Sequence, residues 1–242
     1  MSIDSVKAIF DVASSGYDRW RKYKDPVREQ AHRFLTAFEA HGIARQQIVR
    51  ILPSEIDIQS TEFSDANLLK NHLSPMLLDW AAEYLALDRS WLDGVGEKPH
   101  QNVDGYKNEI IYSDWLVQRT KVDPTVNRTL FVWASSDPKT TLEFTGYLTI
   151  VYVEHGIGID GKELSHYWTL SNKWPLSHSP CVDSMLALVR ICHSLKILTV
   201  GRILNHKVLE NFEKGHLLAP QVGSNSRSIW HPEDLMDSVT AA

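Results

Sequence analysis

Only two cysteines, Cys181 and Cys192, occur in 242 residues. Two thiols cannot build a disulfide scaffold, and their scarcity suits a reducing, cytoplasmic setting. Long apolar runs are missing too. No stretch approaches the ~20 residues that a membrane span needs. The first ten residues carry Asp4 and Lys7 in place of a signal-type apolar core. The expectation is a chain that neither crosses a membrane nor is secreted. Motifs of nucleophilic, nucleotide and metal chemistry are also absent. There is no Gly-x-Ser-x-Gly, no Walker loop, no Cys-x-x-Cys and no His-Glu-x-x-His. His178, Cys181, Cys192 and His193 can be written as four ligands, but Pro180 breaks the helical spacing and the pattern matches no zinc site. Neither an enzyme nor a bound cofactor or metal is expected. Apolar residues at 43% and charged residues at 23% exclude wholesale disorder.

What is present divides the chain. Residues 1–93 read as a helical domain, 94–106 as a linker with three glycines and a proline, 107–223 as an α+β domain, and 224–242 as a polar tail that is loose apart from Ile229-Trp230. The fold class expected is α+β: an all-helical helix-turn-helix-like domain, then an antiparallel sheet with C-terminal helices. In the first half a short helix fits 3–13. Asp25-Pro26 and Ser74-Pro75 each combine a capping side chain with a proline that loses nothing at the first helical position. Val27, Ala31, Phe34, Leu35 and Phe38 then share one face, and Gly42 is placed to end that helix. Short helices fit 44–52 and 64–73, and Asp88 caps a last turn ending at Gly94. In the second half, strands are expected at 110–117, 129–134, 146–157 and 163–171, and helices after Pro180 and within 198–214.

Gly156-Ile-Gly158-Ile-Asp-Gly161 formally matches Gly-x-Gly-x-x-Gly, but a strand-like run follows it where a nucleotide site needs a helix. Asp160-Gly161 reads instead as a two-residue type I′ hairpin turn. That register sets Val153 opposite Trp168, Val151 opposite Leu170, and His155 opposite His166. It leaves Tyr152 and Tyr167 on the other side. Trp115, Trp133, Tyr152, Tyr167 and Trp168 are the candidate lining of a ligand pocket.

Net charge is −5, but it is uneven. From Arg19 to Arg50 there are eight Lys/Arg against three acids, and from 51 to 100 three against nine. A basic block inside an acidic chain is a candidate nucleic-acid surface. Arg45, Gln46, Gln47 and Arg50 carry the forked side chains that suit base edges, and Arg21, Lys22 and Lys24 suit phosphates.

The run Phe34-Leu-Thr-Ala-Phe-Glu-Ala-His-Gly-Ile-Ala-Arg-Gln-Gln-Ile-Val-Arg resembles the opening of a Cro/repressor-type (Xre family) helix-turn-helix domain, in which a first helix ends at glycine before a short Gln-containing helix. Leu77-Leu-Asp-Trp-Ala-Ala-Glu-Tyr-Leu-Ala-Leu-Asp-Arg-Ser-Trp-Leu-Asp-Gly94 is similar to that family's closing helices. The likeness spans about 60 residues. It implies a transcriptional regulator that binds double-stranded DNA as a homodimer, with a second domain that dimerises or senses a small-molecule effector. It also places a recognition helix in 53–71, where Asn67, Lys70, Asn71 and His72 suit DNA while Glu55, Asp57, Glu62 and Asp65 do not. Two segments, 45–50 and 67–71, therefore compete for the groove. The alternatives are an adaptor that binds protein and no DNA, and behind it an enzyme with no recognisable motif.

Overall fold

A computed structural model describes residues 25–138, 146–171, 173–223 and 226–235. Helix α1 (Pro26–Ala40) begins where expected: the Asp25 carboxylate accepts the Arg28 amide at 3.0 Å, and Gly42 takes φ +77° just past the end. Its face buries Ala31, Phe34, Leu35 and Phe38. A 3-10 turn follows at Arg45–Arg50, with Ile48 inward. The helix expected at 64–73 is instead a 3-10 turn (Ser60–Ser64) and a short α2 (Ala66–Leu69). Asp65 divides them because it is extended, at φ −145°, and caps Asn67 itself. Helix α3 (Pro75–Tyr84) is capped by Ser74, and α4 (Arg89–Leu92) by Asp88. The rings of Phe34 and Phe38 are 4.8 Å apart, and Phe63, Leu69, Leu77 and Trp91 complete one helical core. The helix expected at 3–13 and the cations Arg21, Lys22 and Lys24 lie outside the described residues.

The stretch read as a linker runs beside the sheet. Thr169 exchanges backbone hydrogen bonds with Gln101 and Val103, and His100 is buried. The strand expected at 110–117 is a helix, α5 (Glu109–Val122). Ile110 and Ile111 supplied the strand-like character but are exposed; only Tyr112 and Leu116, one helical repeat apart, are fully buried.

Strands β1 (Asn127–Ala134), β2 (Tyr147–Ile157), β3 (Glu163–Thr169), β4 (Trp174–Pro175), β5 (Leu198–Leu204) and β6 (Ser226–Trp230) form one sheet of order β3-β2-β1-β5-β6, with β4 pairing the start of β2. The sheet is mixed, not antiparallel throughout, because β5 runs parallel to β1 after the crossover helix α6 (Ser179–Ser194). The helix expected over 198–214 is two elements: β5, then α7 (His206–Glu213), which Asn205 caps. Val200, Ile203 and Leu204 belong to the strand; Val208 and Phe212 belong to the helix. Helix α8 (Ala219–Gly223) follows, and β6 converts part of the supposed tail into an edge strand. The apolar residues expected to form two helices are thus divided between α6, β5 and α7.

The hairpin turn is as expected, with Asp160 at φ +57°, Gly161 at φ +71° and a closing bond from the Lys162 amide to the Ile159 carbonyl. Its register is not. The Gly158 amide also bonds to the Lys162 carbonyl, so two residues of one arm oppose one of the other. This bulge shifts all later pairs by one. Tyr152 faces Trp168, Val153 faces Tyr167, Val151 faces Thr169, and His166 faces Glu154 while His155 faces Ser165. One sheet face packs Leu130, Ile150, Tyr152 and Trp168 under α5 and α6. The other packs Trp133, Val151 and Val153 under α7 and α8. The helical core reaches the sheet through Leu164.

Candidate functional site

The side chains singled out for DNA lie on the outer surface of the helical half, but most are tied inward. Arg45 bridges Glu39 (2.7 Å) and the Ser64 carbonyl (2.7 Å), clasping α1 to the 3-10 turn beyond it. Arg50 makes a bidentate pair with Asp160 at the hairpin tip, 3.0 and 2.6 Å, and Gln47 donates to the same carboxylate at 3.3 Å. Gln46 is exposed. Asn67 accepts from Arg28 at 2.7 Å, Lys70 pairs with Asp25 at 2.7 Å, and Asn71 donates weakly to the Asn67 carbonyl. The guanidinium of Arg50 holds the Asp160 carboxyl below the usual carboxylate range, and Lys70, then the Arg28 amide, do the same for Asp25. Between residues 25 and 93 there are six Lys/Arg against eleven Asp/Glu. Within the basic block, residues 25–50 hold four Lys/Arg against three acids, so most of its positive balance comes from the four cations before residue 25.

The five aromatic residues expected to line one pocket fall on opposite faces of the sheet. Trp115, Tyr152 and Trp168 form a packed trio, with ring centroids 5.1, 5.8 and 5.9 Å apart. Trp133 packs edge-on to Phe212 at 5.1 Å on the other side, and Tyr167 lies by His41 and His100. Tyr167 and Trp168 are consecutive on β3 and so point to opposite faces, and the shift in register moves Tyr152 from the side of Tyr167 to that of Trp168. Beside the trio is a buried charge cluster that sequence spacing did not reveal. Glu154 accepts from Arg119 and from the Tyr152 hydroxyl (3.0 Å), Arg128 stands 3.4 Å away, and Arg119 lies 4.5 Å over the Trp168 ring. These contacts meet the demand of a buried carboxylate for partners and make the cluster structural.

No family model, curated protein or solved structure matches this chain.

Two further clusters lie where the helical half meets the sheet. His155 stands 3.0 Å from the Thr129 hydroxyl through Nε2 and 2.9 Å from Glu163 through Nδ1, while the Ser165 hydroxyl donates to Glu163 at 2.6 Å. These bonds, Ser165 first and His155 next, hold the Glu163 carboxyl below its ordinary range. Nearby, His41 at the end of α1 donates through Nδ1 to the Ala37 carbonyl, and His100 Nε2 accepts the Ala219 amide. Their other ring nitrogens, His41 Nε2 and His100 Nδ1, are buried with no hydrogen bond. Burial lowers His41 to about 4 and, with His41 beside it, His100 to about 3. Both rings are neutral at pH 7. Among the described residues no group of three or more His, Cys, Asp or Glu is arranged to hold a metal, and no helix is long and apolar enough to cross a membrane. Cys181 and Cys192 are free and buried, and burial pushes the Cys192 thiol up to about 12. Neither is a ready nucleophile.

Proposed function

We propose that the chain is a DNA-binding transcriptional regulator in which the helical half contacts the duplex and the α+β half dimerises or senses an effector. The observation that carries this reading is the order and packing of the helical segments. Two short segments, Arg45–Arg50 and Ser60–Leu69, pack through Ile48, Phe63 and Leu69 onto a core shared with α1 and α3, their polar sides outward. That order is what the Cro/repressor resemblance implies, and such short helices can enter a major groove. The ion pairs at this surface do not forbid it. Arg50 and Asp160 are 53% and 45% exposed, and exposed pairs are worth only ~0–1 kcal/mol, so a phosphate can replace the carboxylate at small cost.

The test is selection of duplexes from a random pool, followed by a salt titration. Specific binding whose affinity falls steeply between about 50 and 200 mM salt is expected. No duplex binding at micromolar protein and low salt overturns the reading. Arg50→Ala should weaken binding by ~1–3 kcal/mol without loss of fold. Arg45→Ala is less clean, because Arg45 also supports the Ser64 carbonyl. Light scattering tests the dimer. The acidic balance of residues 25–93 favours a second reading, an adaptor for a basic protein partner, which predicts no duplex binding at any salt.

A further inference from the structure

A cleft of about 250 Å³ opens between the end of α1 and strand β3. Ala40, His41 and Gly42 form one wall, and Glu163, Ser165 and Tyr167 form the other. Pro220 closes one side. Its polar groups are the Glu163 carboxylate, the hydroxyls of Ser165 and Tyr167, the His41 ring and the backbone at the end of α1. The bonds from Ser165 and His155 both fall on Glu163 Oε1, and the side chain is 66% exposed, so Oε2 is left to solvent at the mouth of the cleft. The Ser165 proton is committed to that same carboxylate. The carbonyls of Ala40 and His41 accept no hydrogen bond among the described residues, and they sit at the negative end of a 15-residue helix. The Tyr167 ring adds an aromatic face, which attracts cations. No Lys or Arg lines the cleft, and His41 is kept neutral by burial.

Such a lining calls for a positively charged donor. A divalent metal fits poorly, since a single carboxylate cannot replace its water shell. The methyl of Ala40, the Pro220 ring and the face of Tyr167 favour carbon. The volume equals roughly eight waters of liquid, which suits a short chain. We propose that this cleft binds a small primary amine, its ammonium on Glu163 Oε2 and the α1 carbonyls and its alkyl chain across Tyr167 and Pro220. The proposal stands whether or not the chain binds DNA.

Calorimetric titration of the full chain with n-butylamine, at constant ionic strength, tests it. Saturable binding in the millimolar range is expected, with none for butyrate. Glu163→Gln keeps an oxygen for Ser165 and His155 and removes the charge, so it should stay folded, with at most a small drop in melting temperature, yet bind about tenfold more weakly or not at all. Glu55→Gln, an exposed acid outside the cleft, controls for net charge and should bind as wild type. Ala40→Arg supplies a guanidinium of the chain's own and should abolish binding, which keeps the test decisive if Glu163→Gln fails to fold. No saturable heat from butylamine, equal binding of butyrate, undiminished binding in Glu163→Gln or Ala40→Arg, or an equal loss in Glu55→Gln would each overturn the proposal.

Discussion

At the scale of single residues, the buried histidines give the sharpest expectation. An imidazole that is neutral when folded and free to ionise when unfolded makes stability depend on pH. The folded values are about 4 for His41 and about 3 for His100, against an ordinary 6.5. Between about pH 6.5 and 4 the unfolded chain binds protons that the folded chain refuses. Stability is therefore full above that window and falls as the pH drops through it, by roughly 5 kcal/mol for the pair by about pH 4.5. Asp160 and Asp25 are lowered below 3.8, so their contributions are lost only further down. Urea midpoints measured across the window should slope steeply in the wild type and about half as steeply in His41→Asn, whose amide can still donate to the Ala37 carbonyl. An unchanged slope in that variant would assign the pH dependence elsewhere. None of this was visible in the sequence, where His41 is one residue in the run likened to a helix-turn-helix and His100 falls in a supposed linker. Likewise the partner of Arg50 is Asp160, 110 residues away, and no local pattern announces such a pairing.

At the scale of elements, caps and glycines decide boundaries. Ser74 accepts the Leu77 amide at 3.2 Å, and Ser74→Ala should cost about 1 kcal/mol in urea unfolding. A larger effect belongs to Gly201 on β5. A Cβ there would press into the indole of Trp230, which pairs with it from β6. The ring is buried and cannot swing away freely. Gly201→Ala should destabilise by ~1–3 kcal/mol. Combining it with Trp230→Leu should cost less than the two changes summed, since the smaller side chain relieves the clash. Strict additivity would mean that the two residues do not meet. Local chemistry made much of this level legible. Asp25-Pro26, Ser74-Pro75, Asp88 and Asp160-Gly161 all act as their residue types dictate. The errors came where one pattern served two structures. Ile110 and Ile111 look like strand residues but sit outward on α5, and 198–214 keeps a helical spacing across a strand and a helix. The bulge at Gly158 costs one residue of register, and with it went the pairing of His155 with His166 and of Val153 with Trp168.

At the scale of the molecule, the helical half and the sheet are joined by side chains as well as by the chain. Leu164 of β3 is buried in the helical core, and His166 Nε2 lies 3.0 Å from the Tyr84 carbonyl. Leu164→Ala should cost ~2–4 kcal/mol. Hydrogen exchange should show amides around Phe34 and Phe38 losing protection, although they are more than a hundred positions away in sequence. Loss confined to the sheet would show the halves to be energetically separate. The parallel pairing of β1 with β5 has a consequence of another kind. Strands β1 and β2 are neighbours in the chain, but β1 acquires its second partner only from residues 198–204, about seventy positions later. During synthesis the helical half can collapse while the ribosome is still adding the middle of the chain, at ~5–20 residues per second. Until β5 emerges, one side of β1 offers unsatisfied amides and carbonyls to any passing strand. Refolding should accordingly show a fast helical phase and a slower one that closes the sheet, and the interval between them is when this protein is most exposed to aggregation.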